Sequence, residues 1–271
     1  MTAVRVTNAT VVESETGSLL FPRVLSANLA RRPGATVSAS TAAAGFPAAA
    51  ARTDNTYERW RPAALPAWWR LDIGSAQPCN ACAIAAHDLA SVGATITVQS
   101  SPDDIVWTNA SDAAAAVSDG ALLLLFPAIT QRFLRLHIAG TTTPTIGHIR
   151  FGTVLTLEHG IAGPYVPIDY ARRVTTRPSR SESGQWLGAS VQRVGLRSET
   201  QITGLTWTWY RDQFDPFVRE ARGGGRPFFF AWQPARAPQH VAYVTLDEDV
   251  APAHRAGEVV DVTLALSGFA A

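Results

Sequence analysis

The chain has 271 residues, 46% of them hydrophobic and 17% charged, and a formal net charge of +1 from 23 basic and 22 acidic side chains. That length exceeds one domain of roughly 150 residues, the apolar share excludes a disordered chain, and the balanced charge excludes long-range attraction to nucleic acid or an anionic membrane. Every basic residue is Arg, which excludes chemistry that needs a lysine: a P-loop lysine on phosphate, a Schiff base or a Ser-Lys dyad.

Residues 1–19 read as an N-terminal arm or strand. Their opening, Met1-Thr2-Ala3-Val4-Arg5-Val6-Thr7, has no basic stretch followed by an apolar one. The densest apolar run, residues 121–126, is far below the roughly 18 residues that span a bilayer, so the expectation is a soluble protein that stays in the cytoplasm.

From there the dominant signal is alternation with period two, bounded by Gly, Pro, Asn and Asp, which predicts a mainly β chain. Trp69, Leu71 and Ile73 point inward from one strand, Arg70 and Asp72 point out, and Gly74 ends it. Trp60 and Trp69 read as core, leaving Trp68 as the exposed ring. Cys79 and Cys82 form a lone C-x-x-C with no second pair to complete a zinc site, and read as two small semi-buried residues. Ala94, Ile96 and Val98 share one face of the next strand; Ser101-Pro102-Asp103-Asp104 turns the chain, and Ile105-Val106-Trp107 is expected to return as the hairpin partner. Leu134, Leu136 and Ile138 mark another strand.

The texture changes near Gly152, where a domain boundary is placed. Residues 153–185 read as a linker or arm in which Arg172, Arg173, Arg177 and Arg180 form a solvated loop, or an arm held against a neighbouring subunit; no aromatic platform is interleaved to suggest nucleic acid. Residues 186–271 then read as a second β domain with strands at 191–197, 204–210, 227–232, 241–246 and 259–266. A helix over 212–222 places Phe214, Phe217, Val218 and Ala221 on one face, capped by Asp212 or Asp215, with Pro216 in its first turn and Gly223-Gly224-Gly225 after it. Phe228, Phe229 and Phe230 cannot all face one core, because neighbours on a strand alternate, so at least one ring is offered to a second surface.

Residues 20–152 resemble the discoidin-like galactose-binding jelly roll, the F5/8 type C domain. The resemblance rests on an ordered series: Thr53-Asp54-Asn55-Thr56-Tyr57-Glu58-Arg59-Trp60, Trp69-Arg70-Leu71-Asp72-Ile73-Gly74, Ala83-Ile84-Ala85-Ala86-His87-Asp88-Leu89, Val98-Gln99-Ser100-Ser101-Pro102-Asp103-Asp104 with Trp107, Arg132-Phe133-Leu134-Arg135-Leu136, and Ile146-Gly147-His148-Ile149-Arg150-Phe151-Gly152. Members of that family often bind carbohydrate or phospholipid with loops at one end of the sandwich. The resemblance implies Asp54, Tyr57 and Arg61 as carbohydrate-contacting candidates, with Trp68 as a stacking platform. It also leaves open a structural calcium at Asp54, although calcium wants six to eight oxygens and only Glu58 adds a nearby carboxylate. No cofactor is otherwise expected. Lipid binding is not carried over, since only Phe46 reads as an exposed apolar spike.

Residues 155–271 resemble the tail-tube-like fold of distal tail and baseplate proteins of long-tailed bacteriophages, through Gly184-Gln185-Trp186-Leu187-Gly188, Leu205-Thr206-Trp207, the helix, Gly225-Arg226-Pro227-Phe228-Phe229-Phe230-Ala231-Trp232, Ala242-Tyr243-Val244 and Val260-Asp261-Val262-Thr263-Leu264. This implies a structural protein of a virion tail tip, assembled in the host cytoplasm as a trimeric or hexameric ring beneath the tail tube. Its partners would be other copies of itself, tail tube protein, hub or fibre proteins and host surface glycan. Arg172, Arg173, Arg177, Phe229 and Phe230 are then the subunit-interface candidates. The alternative is a free carbohydrate-binding adhesin or accessory module.

No enzyme is expected. H-E-x-x-H, G-x-S-x-G and G-x-G-x-x-G are absent, Glu158-His159 is isolated, the six histidines are scattered, and Asp247-Glu248-Asp249 reads as a solvated turn.

Overall fold

The computed structural model describes residues 4–6, 19–161 and 165–268. Most of the expected N-terminal arm lies outside them. The chain is mainly β, with sixteen strands among the described residues, in order: β1 (Val4–Val6), β2 (Arg23–Leu25), β3 (Thr36–Ala39), β4 (Ala67–His87), β5 (Thr95–Ser101), β6 (Thr108–Asn109), β7 (Ala114–Ala115), β8 (Leu122–Ala139), β9 (Ile146–Gly152), β10 (Leu155–Thr156), β11 (Arg172–Arg180), β12 (Trp186–Thr206), β13 (Phe228–Ala231), β14 (Val241–Leu246), β15 (Ala253–Ala256) and β16 (Val259–Gly268). A helical segment, α1, covers 207–223.

Strands β1 and β3 to β9 build the jelly roll. Its two long strands bend and serve both layers: the first half of β4 pairs with β3 and the end of β8, and its second half pairs with the start of β8 and with β9. The bend lies between Asp72 and Gln77, where Gly74 takes φ +84° and donates its N–H to the Asp72 carboxylate. Gly74 therefore bends the strand and does not end it, because its left-handed backbone re-aims a chain whose ladder resumes at Gln77. Trp69, Leu71 and Ile73 point inward as the alternation requires, and with Trp60, Cys82, Ile84 and Phe151 they fill the space between the layers. The hairpin expected at Ile105-Val106-Trp107 starts later, at Thr108. Asp103 accepts from the N–H groups of Ile105 and Val106 and spends those residues on the turn, leaving Ile105 81% exposed.

The second sheet runs β10-β2-β13-β14-β16-β12-β11, with β15 on β16. It recruits Arg23–Leu25, which the sequence places in the jelly roll: β2 pairs with β13 at Leu25↔Phe229 and Val24↔Phe230. Nothing local in three residues indicates which sheet they will join. Alternation on β13 and β14 divides the aromatics. Phe228, Phe230, Ala242 and Val244 face a core shared with Phe214, Phe217, Val218 and Ala221 of α1. Phe229, Ala231, Val241 and Tyr243 face the other way, onto Ala81, Ala83, Ala85, Leu123 and Leu125 of the jelly roll. The runs Ala83-Ile84-Ala85 and Leu122-Leu123-Leu124-Leu125 are apolar at every position because both faces of that layer are covered.

The helix starts five residues before the expected Asp212. Thr206 caps it by accepting from the Trp209 N–H, and Glu158, 48 residues earlier in the chain, accepts from both the N–H and the hydroxyl of Thr206. Pro216 sits in mid-helix, flanked by wide π-type turns at Tyr210–Phe214 and Arg219–Gly223, which accommodate a residue that has no N–H to donate. The region expected as a linker holds β11. It pairs along its whole length with residues 186–196 of β12, whereas β16 reaches β12 only from Leu196 onward, so β11 and its partner form a projecting two-stranded ribbon.

Candidate functional site

The loop end of the jelly roll carries an open cleft of about 640 Å3, lined by Phe46, Pro47, Thr53, Tyr57, Glu58 and Arg59 among others. Its walls are the 43–52 segment and the 53–59 loop. Residues 43–46 are tied to Arg61 by backbone hydrogen bonds from Ala43 N–H to the Arg61 carbonyl and from Arg61 N–H to the Phe46 carbonyl. Trp60 pairs with Ile146 in both directions, which closes the 53–59 loop onto β9. Tyr57 stands at 91% exposure, its backbone held by the Asn55 side chain, and the Phe46 ring is also exposed. The cleft thus combines two apolar rings with one acidic and one basic side chain.

The four carbohydrate candidates do not converge. Tyr57 lines the cleft. Arg61 donates to the Thr143 hydroxyl at 3.2 Å. Trp68 lies half-buried on the outer face of β4, where the Arg70 guanidinium sits 5.5 Å from its ring centroid, and it does not line the cleft. Asp54 does not line the cleft and takes hydrogen bonds from the guanidinium groups of Arg31 and Arg150. Two fixed positive charges on the one carboxylate do not suit a calcium ion, and no cluster of three metal-ligating side chains occurs among the described residues.

Asp54 belongs instead to a buried network that joins the two sheets. Arg150 donates to the Leu25, Ser26 and Pro227 carbonyls at 3.1, 3.2 and 3.0 Å, to Asp54 at 2.9 Å, and from Nε to His148 Nε2 at 3.2 Å. His148 Nδ1 bonds the Thr53 carbonyl, so the ring is the neutral Nδ1–H tautomer; burial, reinforced by Arg150, holds its pKa well below the ordinary value. Tyr243, from β14, donates its hydroxyl to the Asp54 carbonyl at 3.0 Å. The sequence reading missed these residues as a group. The available signal was β9 itself, where His148 and Arg150 interrupt a strand that is buried at all seven positions.

The interface candidates divide. Phe229 and Phe230 are fully buried within the chain, so neither is offered to another subunit; the second surface that Phe229 needs is the jelly roll. Arg172, Arg173 and Arg177 are exposed on β11, and Trp186, Leu187 and Val191 are exposed on its partner strand. The two cysteines and the Asp247-Glu248-Asp249 run are engaged structurally. Burial pushes the Cys79 thiol up to about 12 and holds the Cys82 thiol well above its ordinary value, which removes the nucleophilic thiolate. Glu248 and Asp249 are ion-paired to Arg197 and Arg222, and Asp247 accepts from Ser267.

No family model and no curated protein matches the chain. Among solved structures it is similar, over 47% of its length and 99% of theirs, to chitosan-binding module 1 derived from chitosanase/glucanase from Paenibacillus sp. IK-5, at 25% identity and a TM-score of 0.39. A pectin-binding carbohydrate-binding module gives 18% identity over 44% of this chain and 89% of that one, with a TM-score of 0.39. A module from Clostridium perfringens solved with GalNAc-β-1,3-galactose gives 12% identity over 44% and 95%, with a TM-score of 0.40.

Proposed function

We propose that the chain is a carbohydrate-binding protein whose jelly roll takes a saccharide in the loop-end cleft. The observation that carries this reading is the exposed Tyr57 ring beside Phe46 on the cleft, with Glu58 and Arg59 at hand. An aromatic face stacks on the apolar face of a pyranose, and a carboxylate and a guanidinium supply the acceptors and donors that hydroxyl groups require. The F5/8 type C resemblance of residues 20–152 favours the same end of the sandwich.

The test is a glycan array probed with the full chain and with Tyr57→Ala. We expect a defined set of saccharides to bind the wild type, and the variant to bind them about ten-fold more weakly, as for loss of one aromatic anchor. A wild type that binds no saccharide, or a variant that binds as well, overturns the reading.

A second reading, a ring-forming component of a phage tail tip that contacts tail tube and hub proteins, is favoured by one feature. The β11–β12 ribbon exposes all nine residues of β11 and three large apolar side chains of its partner strand. An isolated two-stranded ribbon is marginal in water, and an open edge strand is a template for another chain. Light scattering over a range of concentrations tests it: a trimer or hexamer that Leu187→Asp dissociates supports the ring, and a monomer throughout removes self-assembly from solution.

A further inference from the structure

The cleft is built from jelly-roll residues, yet the loop that forms its Tyr57 wall is fixed from outside the jelly roll. Between Thr53 and Arg59 that loop is anchored by the Thr53 N–H and hydroxyl on the Ala50 carbonyl, the Thr53 carbonyl on His148, the Asp54 carboxylate on Arg31 and Arg150, the Asp54 carbonyl on Tyr243, and the Asn55 side chain on the Tyr57 N–H. One of these, the Tyr243 hydroxyl, comes from β14 of the second sheet. Arg150 spans the same junction, since it holds Asp54 while donating to Pro227 next to β13. Tyr243 is itself held in place: its ring packs against Phe229 and His148, with centroids at 4.8 and 5.3 Å, and the Arg150 guanidinium lies 5.8 Å from its ring centroid.

We infer that Tyr243 is a positioning residue for the cleft: through its bond to the Asp54 carbonyl it sets the backbone from which Tyr57, Glu58 and Arg59 project. The binding loop of the jelly roll is therefore assembled across the junction between the two sheets, and the jelly roll without the second sheet lacks the geometry of its own cleft. The role in ligand capture rests on the carbohydrate reading above; the role in holding the loop does not.

The test uses the full chain with Tyr243→Phe, which keeps the ring and removes only the hydroxyl, followed by hydrogen exchange. We expect amides of residues 54–59 to exchange about five-fold faster, the equivalent of one net hydrogen bond, while β5 and β8 exchange as in the wild type. Val241→Ala, which removes apolar bulk from the same junction and leaves the ring partners of Tyr243 in place, separates positioning from packing. Loop exchange unchanged in Tyr243→Phe, or raised equally by Val241→Ala, overturns the inference. If Tyr243→Phe speeds loop exchange and also weakens binding of an array-identified saccharide, and a Tyr57→Ala background abolishes that weakening, the full proposal stands. Faster loop exchange in a protein that binds no saccharide overturns the ligand assignment and leaves the coupling intact.

Discussion

The guanidinium of Arg150, at the centre of a jelly-roll strand, donates to the carbonyl of Pro227 at the threshold of β13, 3.0 Å away and 77 residues later in the chain. That bond, with those to Leu25, Ser26, Asp54 and His148, makes one buried cation the common partner of three backbone carbonyls, a carboxylate and an imidazole. Burial lowers the Arg150 pKa and the Asp54 charge opposes the shift, so the cation is retained because its environment is fully acceptor-lined.

Arg150→Met keeps much of the volume and strands these acceptors. We expect a loss of about 3–5 kcal/mol in urea unfolding, the range for removing one member of a buried pair. A loss below about 1 kcal/mol would show that water replaces the guanidinium and that the network is dispensable.

Phe229→Ala empties a site enclosed by Leu25, Tyr243 and the alanine face of the jelly roll. We expect about 3–5 kcal/mol of destabilisation, with no change in the mass of the native protein by light scattering, because the ring faces its own chain. A dissociated native state would return Phe229 to the subunit interface.

Gly147 has no room for a side chain: a Cβ there would lie 2.9 Å from Ala86 Cβ and 3.0 Å from the Thr56 carbonyl oxygen. Gly147→Ala should cost about 1–3 kcal/mol and displace the 53–59 loop, read as faster tryptic cleavage after Arg59. Wild-type stability and cleavage together would show that the loop does not rest on β9.

His87 is buried, accepts the Leu89 N–H at Nδ1, and has a pKa lowered to about 4 by burial. Since the folded value lies below the ordinary 6.5, the unfolded chain takes up the proton first as pH falls. Stability from this group is complete above about pH 6.5 and declines by roughly 3 kcal/mol on the way to pH 4, and His148 adds to the loss in the same direction. Urea midpoints from pH 7 to pH 4 should fall accordingly, and His87→Asn, which retains an acceptor, should flatten the slope; an equal slope in the variant would move the effect to other groups.

The β character, the inward set Trp69, Leu71 and Ile73, the apolar stripe of the helix and the need of at least one ring among Phe228, Phe229 and Phe230 for a second surface were all determined by the sequence alone. Each follows from a period of 2 or 3.6 that neighbouring residues impose on one another. Tertiary structure decided what lies on the far side of each face. The ring of Phe229 meets alanines of residues 81–85, β2 leaves the jelly roll for the second sheet, and the helix begins at Trp207 because Glu158 reaches Thr206. Asp54 stands in a motif that suggests a ligand loop, yet it is claimed by Arg31, Arg150 and Tyr243, from positions 23, 96 and 189 residues away. Periodicity reports which side of a strand is apolar. Which charged or aromatic partner arrives there depends on how two sheets dock, and no local run of residues carries that information.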